Sequence, residues 1–183
     1  ERHALRALEL DPDNVDALTA LGAVYRDTGR WEQAAETLER AIALDPDSSQ
    51  LLEDYGEFLA RTGRLEKLLE VTSRGYAVDP FLAPLVEVYT VALIAAGRSD
   101  EAIAVFEQTI ARGGADWLIE SLASALAGQG DGPGLRALIS GAPIAPEHQA
   151  ALLAALDRPD DPSAAAAVKA LKSVERLAPG YGY

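Results

Sequence analysis

The chain contains no cysteine and no methionine, and its 183 residues include only two histidines, His3 and His148. Without cysteine there is no disulfide, no thiolate metal site, no iron–sulfur cluster and no thiol nucleophile, and both oxidising and reducing compartments stay open. With two histidines, a zinc or non-haem iron centre would have to lean almost wholly on carboxylates. Positive charge is also scarce. Sixteen Lys and Arg against twenty-nine Asp and Glu leave a net charge of −13, with lysine only at Lys67, Lys169 and Lys172. A surface so charged repels nucleic acid and anionic membrane faces, so neither is expected as a partner. No apolar run approaches the roughly 20 residues that a membrane span requires, and membrane insertion is not expected.

The amino terminus, Glu1-Arg2-His3, has neither a signal-peptide profile nor an initiator methionine, which leads to the expectation of a piece of a larger protein. An Ala-, Gly-, Arg- and Pro-rich composition suggests a bacterial, GC-rich source. A soluble chain is expected, cytoplasmic rather than periplasmic. About half of the residues are apolar (49%) and a quarter charged (25%), enough to bury a real core.

What the sequence does have is a period. Asp11-Pro12, Asp45-Pro46 and Asp79-Pro80 follow one another at intervals of 34 residues, and so do Gly29-Arg30, Gly63-Arg64 and Gly97-Arg98. Between these markers lie two apolar stretches per unit, such as Leu18, Leu21 and Tyr25, then Ala34, Leu38 and Ala41, at the spacing of amphipathic helices. Each unit therefore reads as a helical hairpin. A glycine at the end of the first helix can take the left-handed conformation that stops it, and Asp-Pro after the second cannot continue it. Asp13, Asp47 or Ser48, and Ser99 are the expected N-caps.

These residues resemble the tetratricopeptide repeat. Leu18, Leu21, Gly22, Tyr25, Ala34, Leu38, Ala41 and Pro46 match its pattern nearly throughout. The second unit matches at Leu52, Tyr55, Gly56, Leu59 and Pro80 and departs at the three positions of its second helix, Leu68, Thr72 and Gly75. The third supplies Val86, Tyr89, Leu93, Ala102 and Phe106, with Gly114 in place of proline. The resemblance implies an all-α α-solenoid, a right-handed superhelix of antiparallel helical hairpins, with C-terminal capping helices. The expected organisation is helix B of a truncated repeat at 1–12, three repeats at 13–116, a degraded fourth at 117–146, and capping helices and tail at 147–183. The small residues Gly22, Gly56, Ala34 and Ala102 read as packing points where helices approach closely, not as sites.

The tests for chemistry are negative. Gly128-x-Gly130 lacks a preceding strand and the spacing of a dinucleotide loop. Asp157, Asp160 and Asp161 lack the ligand spacing of a calcium loop and read as helix caps. No G-x-S-x-G, H-E-x-x-H or G-x-x-x-x-G-K-[ST] occurs. Glu53 and Glu57 lie one turn apart, with no apolar shell apparent that would raise a carboxyl pKa. No enzyme activity, cofactor or metal is expected.

The resemblance places function in the concave groove built from the first helix of each hairpin. By position, the groove residues are Asp16, Thr19, Ala23, Arg26 and Asp27, then Gln50, Glu53, Glu57 and Arg61, then Glu87, Val91 and Ile94. This wall is acidic early and apolar late. The clamp for a terminal carboxylate found in chaperone cofactors is absent, since Thr19, Ala23, Asp54, Pro84 and Val88 stand at its positions. So is the asparagine ladder of sugar-nucleotide transferases, where Ala20, Asp54 and Val88 stand. The expected function is a protein–protein interaction module that binds a basic or basic-apolar peptide or helix. The alternatives are a spacer in a larger enzyme or signalling protein, its groove filled by its own C-terminal helices, and self-association end to end.

Overall fold

The computed structural model describes residues 1–112, 116–144 and 146–157. Among the described residues there are ten helices and no strand. They are α1 (Arg2–Leu10), α2 (Val15–Asp27), α3 (Trp31–Leu44), α4 (Ser49–Arg61), α5 (Leu65–Val78), α6 (Ala83–Ala95), α7 (Ser99–Ala111), α8 (Asp116–Gly128), α9 (Gly132–Gly141) and α10 (Pro146–Leu156). The fold class is all-α, in antiparallel hairpins. The chain divides into two compact units, 1–92 and 93–183.

In the first unit, α2 pairs with α3 and α4 with α5, while α1 lies against α2 and α2 against α4. The core is the predicted apolar set: Leu18, Leu21 and Tyr25 of α2 meet Ala34, Leu38 and Ala41 of α3. It continues through Leu51, Leu52, Tyr55, Phe58 and Leu59 of α4 to Leu68 and Val71 of α5. Contact is close where bulk is missing. A Cβ on Gly22 would lie 2.6 Å from Leu38 Cγ, so the α2–α3 crossing depends on that hydrogen. Thr72, at one of the positions that depart from the repeat pattern, is fully buried, and its hydroxyl donates to Leu68 O at 2.7 Å. A polar residue is thereby accommodated in the core without an unmade hydrogen bond.

The hairpin turns share one geometry. Gly29, Gly63, Gly97 and Gly130 have φ of 73°, 71°, 74° and 69°. At each, the glycine N–H donates to the carbonyl three residues back and the next N–H to the one five back, as in Gly63 N to Ala60 O (3.3 Å) and Arg64 N to Leu59 O (3.0 Å). This is the double closure of a helix by a left-handed residue. One cap is as expected and one is shifted by a residue. Ser48 caps α4 through Leu51 N, whereas Asn14, not Asp13, caps α2 by accepting from Ala17 N at 2.8 Å. Asp11 and Asp79 use their side chains one step earlier, accepting from the N–H of Asp13 and Phe81 and so bending the Asp-Pro turn itself. Ser99 is the first residue of α7 rather than its cap.

In the second unit α9 is packed against by α7, α8 and α10. Its buried residues include Phe106, Leu118, Leu122, Leu126, Leu135, Leu138 and Leu152. The period shortens here. Helices begin at 15, 49 and 83 but then at 116, one residue early, and the fourth turn glycine shifts with them to Gly130. The expected two-turn helix from Leu135 to Ser140 is longer, Gly132–Gly141, because Pro133 sits in its first turn and Asp131 accepts from Gly134 N at 2.9 Å. Ser99 donates to that same Asp131, and together these bonds hold its carboxyl below the usual aspartate range. Gly128-x-Gly130 is thus a helix end and a turn. The Gln149 amide of α10 donates to Ile139 O and Ser140 O, and Arg136 pairs with Asp157 at 2.6 Å. Gly114, the cap expected at Asp161-Pro162 and the helix expected over 163–177 lie outside the described residues.

Because a Cβ on Gly63 would meet nothing within 4 Å, substitution there tests the backbone alone. Gly63→Val should lower stability by roughly 1–3 kcal/mol, and Gly63→Asn by less, since asparagine tolerates positive φ. Thermal unfolding measures both; an unchanged midpoint for the valine variant would contradict the turn.

Candidate functional site

The groove residues of the first unit lie on α2, α4 and the first part of α6, and the structure separates those that face solvent from those that do not. Asp16, Asp27, Gln50 and Arg61 are exposed. Thr19, Ala23, Glu57, Glu87 and Val91 are half-buried, the Thr19 hydroxyl donating to Val15 O. Arg26 and Glu53 are buried, with 8% and 7% of their surface exposed. Ile94, which belongs to the second unit, is 1% exposed.

The buried pair organises a charge cluster between α2 and α4. Arg26 Nη1 donates to Asp54 Oδ1 at 2.9 Å and to Asp54 O at 3.2 Å, and Nε donates to Asp27 Oδ1 at 3.0 Å. Glu57 Oε2 lies 3.1 Å from Arg26 Nη1 and 3.7 Å from Arg61 Nη2. Glu53 has no contact with Arg26 among these; Gln50 Nε2 donates to its Oε2 at 2.8 Å. One buried guanidinium therefore serves three carboxylates, and a fourth, Glu53, is packed beside them. Burial first, and then repulsion from Asp54 and Glu57, push the Glu53 carboxyl up to about 7 against the pull of Arg26 and the Gln50 hydrogen bond. Burial likewise raises Asp54, with Arg26 opposing. Asp27, outside, is held low by its bond from Arg26.

This corrects the expectation that no environment here raises a carboxyl pKa. Asp54, the residue that joins α4 to Arg26, stands in the sequence only at the positions where a clamp and a ladder are absent. The signal that could have found it is the 28-residue separation of an Arg and an Asp on successive first helices. Among the described residues, no group of three His, Cys, Asp or Glu is placed to hold a metal ion. Surface hollows lined by Glu1, His3, Leu5 and Arg6, and by Gly132, Pro133, Arg136 and Leu156, include no member of the cluster. Among the described residues no helix is long and apolar enough to cross a membrane.

The class defined by this geometry is a protein of repeated antiparallel helical hairpins. Residues 3–53 and 88–108 match family models for the tetratricopeptide repeat. Solved structures share the fold. The Pseudomonas aeruginosa PilF structure is 20% identical over 97% of this chain and 82% of that one, with a TM-score of 0.64. MamA is 23% identical over 76% of this chain and 85% of its own, with a TM-score of 0.60. YrrB is 18% identical over 91% and 80%, with a TM-score of 0.61. No curated protein matches the sequence.

Removing Arg26 strands Asp54 and Glu57 in a partly desolvated site, so Arg26→Ala should cost about 3 kcal/mol. Asp54→Ala should cost less, and the double variant less than the two together, because the pair is shared. Denaturant unfolding of the three variants gives the cycle; strict additivity would show that the two residues do not interact.

Proposed function

We propose that the chain is a protein–protein interaction module, non-catalytic, whose first unit takes a basic or basic-apolar peptide or helix segment on the face formed by α2, α4 and the start of α6. The observation that carries this reading is the charge count on that face. Asp16, Asp27, Asp54, Glu57 and Glu87, with the buried Glu53 beneath them, stand against Arg26 and Arg61, and Arg26 is buried with its Nε and Nη1 bonded to Asp27 and Asp54. A cationic partner supplies the charge that the face lacks, and complementarity of this kind governs encounter rate and partner choice. Ala23 and Val91 offer apolar surface between the acids. One of the structures sharing the fold lends support by its description: YrrB is a tetratricopeptide repeat protein with an unusual peptide-binding site. Ile94, being buried, is left out of the proposed face.

Asp16 and Glu87 are the acids to test, because Glu53 is buried and Glu57 is held by Arg26. Fluorescence anisotropy with a labelled Lys/Leu peptide should show binding that weakens from low to physiological ionic strength, while a Glu/Leu peptide of equal length should not bind. Asp16→Asn with Glu87→Gln should weaken the Lys/Leu peptide by roughly threefold or more without changing the circular dichroism spectrum. Affinity indifferent to both salt and the double substitution would remove the acids from recognition.

A further inference from the structure

We propose that Glu53 is a proton-responsive group of this face: protonated, it lets α2 and α4 pack without surplus charge, and ionised, it adds an unpaired negative charge that a cationic partner group neutralises. The second half rests on the binding reading above; the first rests on the fold alone.

The geometry is that of a carboxylate left over. Glu53 is 7% exposed, yet the buried cation beside it, Arg26, directs its Nε and Nη1 to other atoms, the carboxylates of Asp27 and Asp54 and the Asp54 carbonyl, with Glu57 also in ion-pair range of Nη1. The bond from Gln50 is neutral and can be kept by a protonated carboxyl. From α2 the groups facing this region are Arg26 and Asp27; from α4 itself they are Gln50, Asp54, Glu57 and Arg61. From α6, Glu87 occupies the position 34 residues on from Glu53. On the other side of α4, Glu39 of α3 and Arg64 lie 3.8 Å apart, and the Tyr55 hydroxyl donates to Glu39. More acid than base thus surrounds a carboxyl shut away from water, the arrangement in which the neutral form is favoured.

The direction follows from linkage. The folded chain holds this proton more tightly than the unfolded chain, so the fold gains stability as pH falls from about 7 toward the ordinary glutamate value of 4.5, and loses it as pH rises. A partner ammonium or guanidinium held over this face lies near Glu53 without touching a side chain that is only 7% exposed, and its field favours the ionised form, so binding releases a proton and affinity for a basic segment rises with pH across neutrality.

The test uses the full chain and Glu53→Gln, which keeps shape and hydrogen bonding and cannot ionise. The side-chain carboxyl carbon of Glu53, followed by NMR in uniformly 13C-labelled protein, should titrate with a midpoint near 7. The unfolding midpoint of Glu53→Gln should exceed that of the unaltered chain above neutral pH and converge with it in mild acid. A midpoint in the ordinary glutamate range, or a difference between the two proteins that is independent of pH, overturns the proposal. The Lys/Leu peptide should bind the unaltered chain several-fold more tightly at mildly alkaline than at mildly acidic pH, and Glu53→Gln with no such change. A pH-independent affinity overturns the coupling to a partner. Failure of the peptide to bind at any pH, with the titration as expected, overturns the binding reading and this coupling while the proton response of the fold stands.

Discussion

The structure depends on a backbone constraint that costs no side chain anything: a glycine with positive φ after each first helix. At Gly29, Gly63, Gly97 and Gly130 the chain reverses within two residues, and the two hydrogen bonds around each glycine fix the register in which the second helix returns. Register decides the rest. It brings Leu38 over Gly22 and sets the apolar faces of α2 and α3 together, and it leaves the outer face of every first helix free of its own hairpin partner. The turn tolerates a lost residue upstream. Between α7 and α8 the period shortens by one, yet the left-handed glycine moves with it, and α9 still docks on α8. What must be preserved is the interval from first helix to turn, not the interval from repeat to repeat.

That constraint was legible in the sequence because it is local. A glycine followed by arginine, at fixed distance from an Asp-Pro, specifies a turn from its immediate neighbours, and helix type, hairpin order and most of the core follow from the period. Features that compete locally were less legible. Asp11, Asp13 and Asn14 all offer a capping oxygen within four residues. Which one caps α2 is settled by Asp11 bending the turn toward Asp13 N, which leaves Asn14 next to the helix. In α9, Gly132, Pro133 and Gly134 look like a loop on propensity, and a single cap from Asp131 turns them into a first helical turn. The core overrides propensity there, since Leu135, Leu138 and Ile139 have no other place to be buried.

The candidate face was legible only as a list of positions. Periodicity assigns a residue to a side of its helix, and on that ground Glu53 and Asp27 look alike. What separates them lies between two helices: Arg26 of α2 reaches across to Asp54 of α4, 28 positions on, and beside that pair Glu53 is buried while Asp27 stays exposed. Charge along one helix is readable from sequence. Burial of that charge is a property of two helices at once, and for that reason the raised carboxyl escaped a reading that proceeds one helix at a time.

The same slot explains the end of the predicted wall. Arg26, Ala60 and Ile94 occupy one repeat position, 34 residues apart, and the first and last are buried at 8% and 1% while the alanine between them is exposed. The position is one where a long side chain turns inward. In the first repeat an arginine fills it and needs Asp54 and Glu57 to be tolerated there; in the third an isoleucine fills it and needs only apolar neighbours. A buried ion pair stabilises little over a hydrophobic replacement, so the arginine is not explained by stability. Its consequence is to hold acids at the inner edge of a face that an apolar residue would have left uncharged. The acidic character of that face is thus built from within the fold, by a cation that solvent scarcely reaches.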